Sequence, residues 1–229
     1  MNYKKKLVSV VMSVFNDEDT IEKSIDSIIN QTYKKLELLI MDDGSSDETL
    51  KIINKYKNKY KFIKVFKNEN NKGLTYSLNK LIKDSEGEYI ARQDSDDESM
   101  PNRIMEQITT VEKNNLDFCS SRALVKNSNK KIPGVSYYLP IRKVMKVKNP
   151  FIHGTLFIKR KVLDEVGLYD EKFYYAQDYK LMRDLLNRKY KYKIINKPLY
   201  LLNMENNIST TKRKEQAYFA NLVKKNKEL

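Results

Sequence analysis

Cysteine and histidine are nearly missing from this chain. Cys119 is the only cysteine and His153 the only histidine in 229 residues. A single cysteine excludes a disulfide framework and a cysteine-rich zinc site, and it fits a reducing, cytosolic setting. With so little nitrogen and sulfur on offer, any metal falls to oxygen ligands, which favours Mg²⁺ or Mn²⁺. Long apolar runs are missing too, and none approaches membrane-spanning length. Lys4-Lys5-Lys6 resembles the basic start of a secretory leader. However, the apolar stretch Leu7 to Val14 is too short for one and meets Asn16-Asp17-Glu18-Asp19 almost at once. The expectation is a chain without a leader, cytoplasmic, with peripheral contact at the inner face of the cytoplasmic membrane left open. No internal repeat and no domain linker is visible.

What is present is charge of one sign in excess. Lys and Arg outnumber Asp and Glu by 44 to 30, a net charge of +14. Such an excess suits nucleic acid, an anionic membrane face or an anionic substrate. The lysines are scattered among Asn and Tyr along the whole chain, and no nucleic-acid-binding motif or aromatic-basic groove pattern accompanies them. Nucleic acid is therefore not an expected partner. A 40% hydrophobic and 32% charged composition excludes disorder, and the length suits one generous domain with a sizeable core.

Apolar periodicity gives the order of elements. Leu7–Val14, Leu36–Met41, Phe62–Phe66 and Glu88–Arg92 read as buried strands. Helices fall between them: from Asp19 or Thr20 to about Gln31, from about Glu48 to Tyr60, and from about Leu74 to Asp84. Pro101 opens a further helix to about Asn114. Beyond it, Asp117–Val125 and Phe151–Ile158 read as strands, Ser128–Pro140 as a loop, and Arg160–Val166 and Tyr179–Arg188 as helices. Tyr192–Ile195 and Leu199–Asn203 read as two short strands. This alternation predicts an α/β fold with a mostly parallel sheet covered on both faces. Ligands bind such sheets beyond the carboxyl ends of the strands. Asn16, Asp42-Asp43 and Asp94-Ser95-Asp96-Asp97 all fall at those ends.

The last of these clusters is the sharpest. Three carboxylates crowd one turn, and like charges so close destabilise it unless a cation or hydrogen-bond donors stand by. A divalent ion there would keep positions open for substrate phosphates. A solvated acidic turn with helix-capping Asp residues is the alternative.

Several pieces now line up. They are Ser9 to Asn16, Ser24 to Gln31 with Tyr33, Asp42-Asp43-Gly44-Ser45-Ser46-Asp47, and Asn71-Lys72-Gly73 with Asn79. Ile90 to Asp97 follows, with Met100-Pro101 and Arg103, and then His153-Gly154-Thr155 and Gln177-Asp178. In this order and spacing the chain resembles the family 2 glycosyltransferases of bacterial cell-surface polysaccharide type, over about residues 7 to 205. The resemblance implies the GT-A fold, a Rossmann-like, mostly parallel central sheet with helices on both faces and a smaller acceptor-side region. It divides residues 1–205 into a nucleotide-binding half, about 7–100, and an acceptor-side half, about 101–205. Residues 206–229 form a basic tail or helix.

The resemblance also implies roles. Ser13, Phe15 and Asp43 sit where relatives contact uridine, and an Asp there can accept the imide N–H of uracil. Phe15 can stack on the base; core packing is its other reading. Asn16, Ser95 and His153 join the nucleotide-sugar site, His153 beside the acceptor or diphosphate. Lys72 and Arg92 either contact the nucleotide or order the acidic loops. Asp96 binds Mn²⁺ or Mg²⁺ directly, while Asp94 meets ribose or a metal-bound water. Asp97 caps the following helix or meets acceptor. Asp178, where Gln177 replaces the usual Glu of a Glu-Asp pair, is the candidate general base; capping of its own helix is the alternative. The implied reaction is inverting transfer of a sugar from a UDP-linked donor to a saccharide or lipid-linked saccharide acceptor, in surface polysaccharide or lipopolysaccharide synthesis. The tail, with Lys212-Arg213-Lys214 ahead of Ala217, Phe219, Leu222 and Val223, suits a helix on an anionic membrane, a solvated helix or a lid. A nucleotidyltransferase of similar layered fold is a competing class. It is disfavoured by the missing Gly-rich, basic signature after the first strand. A basic nucleic-acid-binding module is the other. No sequence pattern specifies the sugar, the linkage or the oligomeric state.

Overall fold

The computed structural model describes residues 3–128, 130–205 and 212–225. In chain order the strands are β1 (Lys4–Val14), β2 (Leu36–Asp42), β3 (Ile63–Lys67), β4 (Gly87–Arg92), β5 (Glu98–Ser99), β6 (Phe118–Val125), β7 (Lys131–Ile132), β8 (Phe157–Lys159) and β9 (Tyr192–Leu202). The helices are α1 (Ile21–Ile29), α2 (Thr49–Lys59), α3 (Leu74–Asp84), α4 (Arg103–Lys113), α5 (Ile141–Val144), α6 (Arg160–Val166), α7 (Gln177–Asn187) and α8 (Arg213–Lys225).

One sheet organises all of them, in the order β3-β2-β1-β4-β8-β6-β9-β5, with β7 paired to β6. The first four strands are parallel, with Val14 opposite Asp42 and Asp42 opposite Lys67. β8 runs antiparallel between β4 and β6, and β9 runs parallel to β6. The sheet is mostly parallel and runs without a break from the first half of the chain into the second.

Period-two alternation sends each strand's side chains to opposite faces. Val8, Val10 and Met12 of β1 join Leu38 and Ile40 of β2 against Ile21, Ile25 and Ile28 of α1, Ile53 of α2, and Ile104 and Ile108 of α4. Val11, Leu39 and Met41 turn the other way, against Leu78, Leu81 and Ile82 of α3 and the apolar sides of α6 and α7. Each fully buried Val, Leu or Ile side chain contributes about 1.5–3 kcal/mol.

Three expectations need correction. Phe151–Ile158 is not one strand: His153–Thr155 forms a 3₁₀ turn, and only Phe157–Lys159 pairs with neighbours. The two short strands near the end are one, β9, with its irregularity opposite Ser121 and Arg122, where Pro198 lacks a ladder N–H. Pro101 lies in a turn two residues before α4 rather than in its first position.

The described part of the tail, α8, is exposed along most of its length but packs one apolar side on the core. Val223 is buried, Phe219 packs edge-on to Phe173, and the Arg183 guanidinium donates to the Val223 carbonyl. Residues 206–211 and 226–229 of the expected tail lie outside the described residues.

Candidate active site

The carboxyl ends of β1, β2 and β4 bring the three polar clusters to one edge of the sheet. At the end of β1, Ser13 is buried at the rim, and Phe15 stands 47% exposed. That exposure removes the core-packing reading of Phe15 and leaves its ring free to stack. Asn16, in a left-handed conformation with φ of 49°, turns its side chain sideways. Its Oδ1 accepts from the Ser46 N–H at 2.8 Å, and its own N–H donates to Ser45 Oγ at 3.0 Å. Asn16 therefore stitches the first loop to the Asp43-Gly44-Ser45-Ser46 loop.

Asp43 is buried at the end of β2. Its Oδ1 accepts from Asn68 Nδ2 at 2.7 Å and from the Lys72 N–H at 2.9 Å, while Oδ2 accepts from the Gly73 N–H at 2.9 Å. A carboxylate offers about four lone-pair sites, so one remains for a ligand donor. The Lys72 side chain is exposed beside it. Gly73 has φ of 90°, and a Cβ there would come 2.6 Å from the ring of Tyr174. Tyr174, from the loop before α7, thus closes over the Asp43 end of the sheet. No pattern in the sequence pointed to it.

The acidic turn after β4 rests on a buried polar scaffold. Arg92 is buried; its Nη2 donates to Asp94 Oδ1 at 2.6 Å and its Nη1 to the Val11 carbonyl at 3.3 Å. This is the loop-ordering arrangement of the two envisaged for Arg92. The Asp94 N–H donates to the Tyr200 hydroxyl at 3.0 Å, and the Asp94 carbonyl accepts from Ser24 Oγ at 2.8 Å. Gln93 Nε2 donates to the carbonyls of Asp94 and Asp97. Arg103, buried over the Tyr200 ring, holds Gln93 Oε1 at 2.9 Å and Ser99 Oγ at 2.7 Å, and also reaches the Arg92 carbonyl. Ser95 sits half-buried between the two outer carboxylates.

Asp96 has no side-chain partner of opposite charge in direct contact among the described residues. Its pKa is pushed up to about 6, first by burial, then by the neighbouring charges of Asp94 and Asp17. Asp97 does not cap α4. Its Oδ1 accepts from the Asn203 N–H at 2.6 Å, at the far end of β9, and burial with Asp94 and Asp96 pushes its pKa up to about 9. A divalent cation fits the remaining pair. The donors are all oxygen, the Asp96 carboxylate forms no ion pair although the Lys126 ammonium donates to the Asp96 carbonyl at 3.1 Å, and among the described residues no third His, Cys, Asp or Glu completes a protein cage. Two carboxylates with the other positions left to water and phosphate is how Mg²⁺-type ions are usually held.

The second half of the chain supplies the opposite wall. Gly154 packs directly against Asp94 and Tyr200. His153 Nε2 lies 2.8 Å from the Tyr169 hydroxyl. Burial lowers the His153 pKa, Arg92 lowers it further, and Asp178 and Asp94 push it back up, so the ring is within electrostatic reach of both carboxylates. Asp178, in the first turn of α7, does not cap through its side chain. Its Oδ2 accepts from Asn149 Nδ2 at 2.8 Å and it remains partly open to solvent. Asn149 and Tyr200 are further site neighbours that sequence reasoning missed, because each acts across more than twenty residues of chain with no motif around it.

With this geometry in place, comparison with known proteins is informative. The glycosyl transferase family 2 profile matches residues 9–167, and the chain belongs to that family. EpsE of Bacillus subtilis, a glycosyltransferase by name, is 37% identical over 155 residues, covering 66% of this chain and 56% of EpsE. The O-antigen biosynthesis glycosyltransferase WbnJ of Escherichia coli is 30% identical over 217 residues, 93% of this chain and 85% of WbnJ. Among solved structures, S. aureus TarS 1–349 in complex with UDP-GlcNAc superposes with a TM-score of 0.79 at 20% identity, over 94% of this chain and 65% of that one. The mannosyltransferase PcManGT of Pyrobaculum calidifontis, in complex with GDP-Man and Mn²⁺, gives 0.70 at 19% identity, over 92% and 60%. These structures establish the GT-A fold. This chain spans little more than half the length of EpsE.

Proposed function

We propose that this chain is an inverting glycosyltransferase. It moves a sugar from a UDP-linked donor to an acceptor hydroxyl with Mn²⁺ or Mg²⁺, in the building of a surface polysaccharide or lipopolysaccharide. The carrying observation is the meeting of Asp43, the Asp94–Asp96 pair and Asp178 around one edge of the sheet. The names of WbnJ and of the TarS complex support the class of product and the uridine nucleotide, and the PcManGT complex supports a divalent ion.

In this reading Phe15 stacks on the base, and the free lone pair of Asp43 accepts its imide N–H. Ser13, Lys72 and Ser95 line the path of ribose and phosphates, and Arg92 fixes Asp94 in place. Asp94 and Asp96 would hold the cation, which when bound would stabilise the charge of the departing diphosphate. Asp178, oriented by Asn149, removes the proton of the acceptor hydroxyl. The acceptor oxygen forms its bond to the anomeric carbon as the bond to the phosphate oxygen breaks, and UDP leaves with the electron pair. Attack from the face opposite the leaving group inverts the configuration, and no covalent intermediate is formed. The division into a nucleotide half, about 7–100, and an acceptor half, about 101–205, follows the same logic.

The test is a melting-temperature panel of UDP-, GDP-, dTDP- and CDP-sugars with and without Mn²⁺, on wild type, Asp96→Ala and Asp178→Asn. A Mn²⁺-dependent rise with UDP-sugars is expected, absent in Asp96→Ala and kept in Asp178→Asn. UDP release should fall by about 10²–10⁴-fold in Asp178→Asn. Parental turnover in that variant would remove Asp178 as base. Pyrophosphate instead of UDP as product would point to a nucleotidyltransferase.

A further inference from the structure

From Phe118 to Leu163 the chain contains no Asp or Glu, although acids are plentiful on either side. Within that stretch, residues 134–148 form a surface segment with a clear inside and outside. Inside, Val144 and Met145 are buried, and Tyr137 packs against the core beneath the Arg122 guanidinium, 5.0 Å from its ring centre. The Tyr179 hydroxyl donates to the Met145 carbonyl and pins the segment to α7. Outside, where polar residues belong, stand Val135 at 78% exposure, Tyr138 at 71%, Leu139 at 52% and Val147 at 67%. Lys143, Lys146 and Lys148 are exposed among them, and no carboxylate pairs with any of the three among the described residues. The anchored inner set makes this a shaped surface rather than a frayed loop.

We propose that this segment docks on the surface of an anionic lipid bilayer. Aliphatic side chains enter the headgroup boundary, the tyrosine sits at its polar edge, and the lysines meet lipid phosphates. A soluble polyanion would satisfy the lysines but leave Val135, Leu139 and Val147 in water. A second copy of the chain would bring the same unpaired lysines face to face. α8 is poorly suited to the role, because its apolar side already packs on α7 and on Phe173. The segment leads straight into the acceptor side: Asn149, which follows Lys148, is the residue that holds Asp178. Resting on the function proposed above, docking would present Asp178 to an acceptor hydroxyl carried at the membrane surface.

The chain has no tryptophan, so Leu139→Trp installs a single reporter. The experiment adds vesicles of phosphatidylcholine alone, or of equal parts phosphatidylcholine and phosphatidylglycerol. A blue shift of the indole emission with anionic vesicles only, together with co-sedimentation, is expected. The Lys143→Gln/Lys146→Gln/Lys148→Gln and Val135→Ser/Leu139→Ser/Val147→Ser variants should each lower partitioning at least tenfold. Unshifted emission overturns the proposal, even if the protein sediments through another surface. So does an aliphatic triple variant that sediments like wild type, or one that retains single-stranded RNA as wild type does, since either marks a polycation contact. Circular dichroism identifies a variant that fails to fold, in which case the indole emission of Leu139→Trp decides. The UDP-sugar melting shift, measured in parallel, reports on the donor site alone. Its absence would remove the proposed function and leave the vesicle result standing.

Discussion

Gly154 and Asp94 are packed so closely that no side chain fits between them: a Cβ on Gly154 would come 2.6 Å from Asp94 Oδ2. The His153–Thr155 3₁₀ turn is thus a wall of the acidic turn, and the two must move together.

Gly154→Ala should therefore push the Asp94 carboxylate off the position set by Arg92. Apparent Mn²⁺ affinity in the presence of UDP-sugar should fall by about 10–100-fold, the range seen when groups supporting metal ligands are altered. Isothermal titration measures it, and a Mn²⁺ titration identical to wild type would show that Asp94 tolerates displacement.

His153 makes stability pH-dependent in a definite direction. Its folded pKa lies below the ordinary 6.5, so between those two values the unfolded chain binds more protons than the folded one. Stability then falls as pH is lowered through 6.5 and below. Protonation also requires Nε2 to donate, which forbids it from accepting the Tyr169 hydroxyl. Melting temperature against pH, without metal, should show a component in wild type that His153→Asn lacks. Superimposable profiles would mean the ring protonates freely in the fold.

Arg103 should matter for stability although it lies beneath the turn. Burial lowers its pKa only to about 10, so it is charged at neutral pH. Arg103→Met leaves the oxygens of Gln93, Gln107 and Ser99 and the Arg92 carbonyl short of a donor. A buried polar group without a partner costs about 1–3 kcal/mol. A loss of at least about 3 kcal/mol, or roughly 6–12 °C in Tm, is expected for a chain of this size. A drop under about 1 °C would mean that the network repairs itself with water.

The first half of the fold was legible because its signals are local. Strands β1 to β4 are apolar runs with β-branched residues, α1 to α4 carry apolar stripes at helical spacing, and Asp43, Asp94 and Asp96 fall at strand ends where such sheets bind ligands. The second half was less legible for physical reasons. Phe151-Ile152-His153-Gly154-Thr155 has the composition of a strand. Yet Thr155 Oγ1 bonds the Ile152 and Ser121 carbonyls, and Gly154 admits Asp94, which bends the segment into a turn. The strand β5 exists only because Glu98 and Ser99 meet Leu201 and Tyr200. Tyr200 reaches the Asp94 N–H across 106 positions of chain, a contact with no local trace.

The unbroken sheet also limits how the molecule can move. β4 of the nucleotide side is hydrogen-bonded to β8, and β8 to β6, with Ile158 opposite both Ile90 and Phe118. Swinging one half away from the other would tear this ladder, so the protein has no hinge between them. The Asp43 and Asp94–Asp96 loops and the His153–Thr155 turn are aligned when the chain folds. Any rearrangement around the site falls to segments outside the sheet, such as the loop that lays Tyr174 over Gly73.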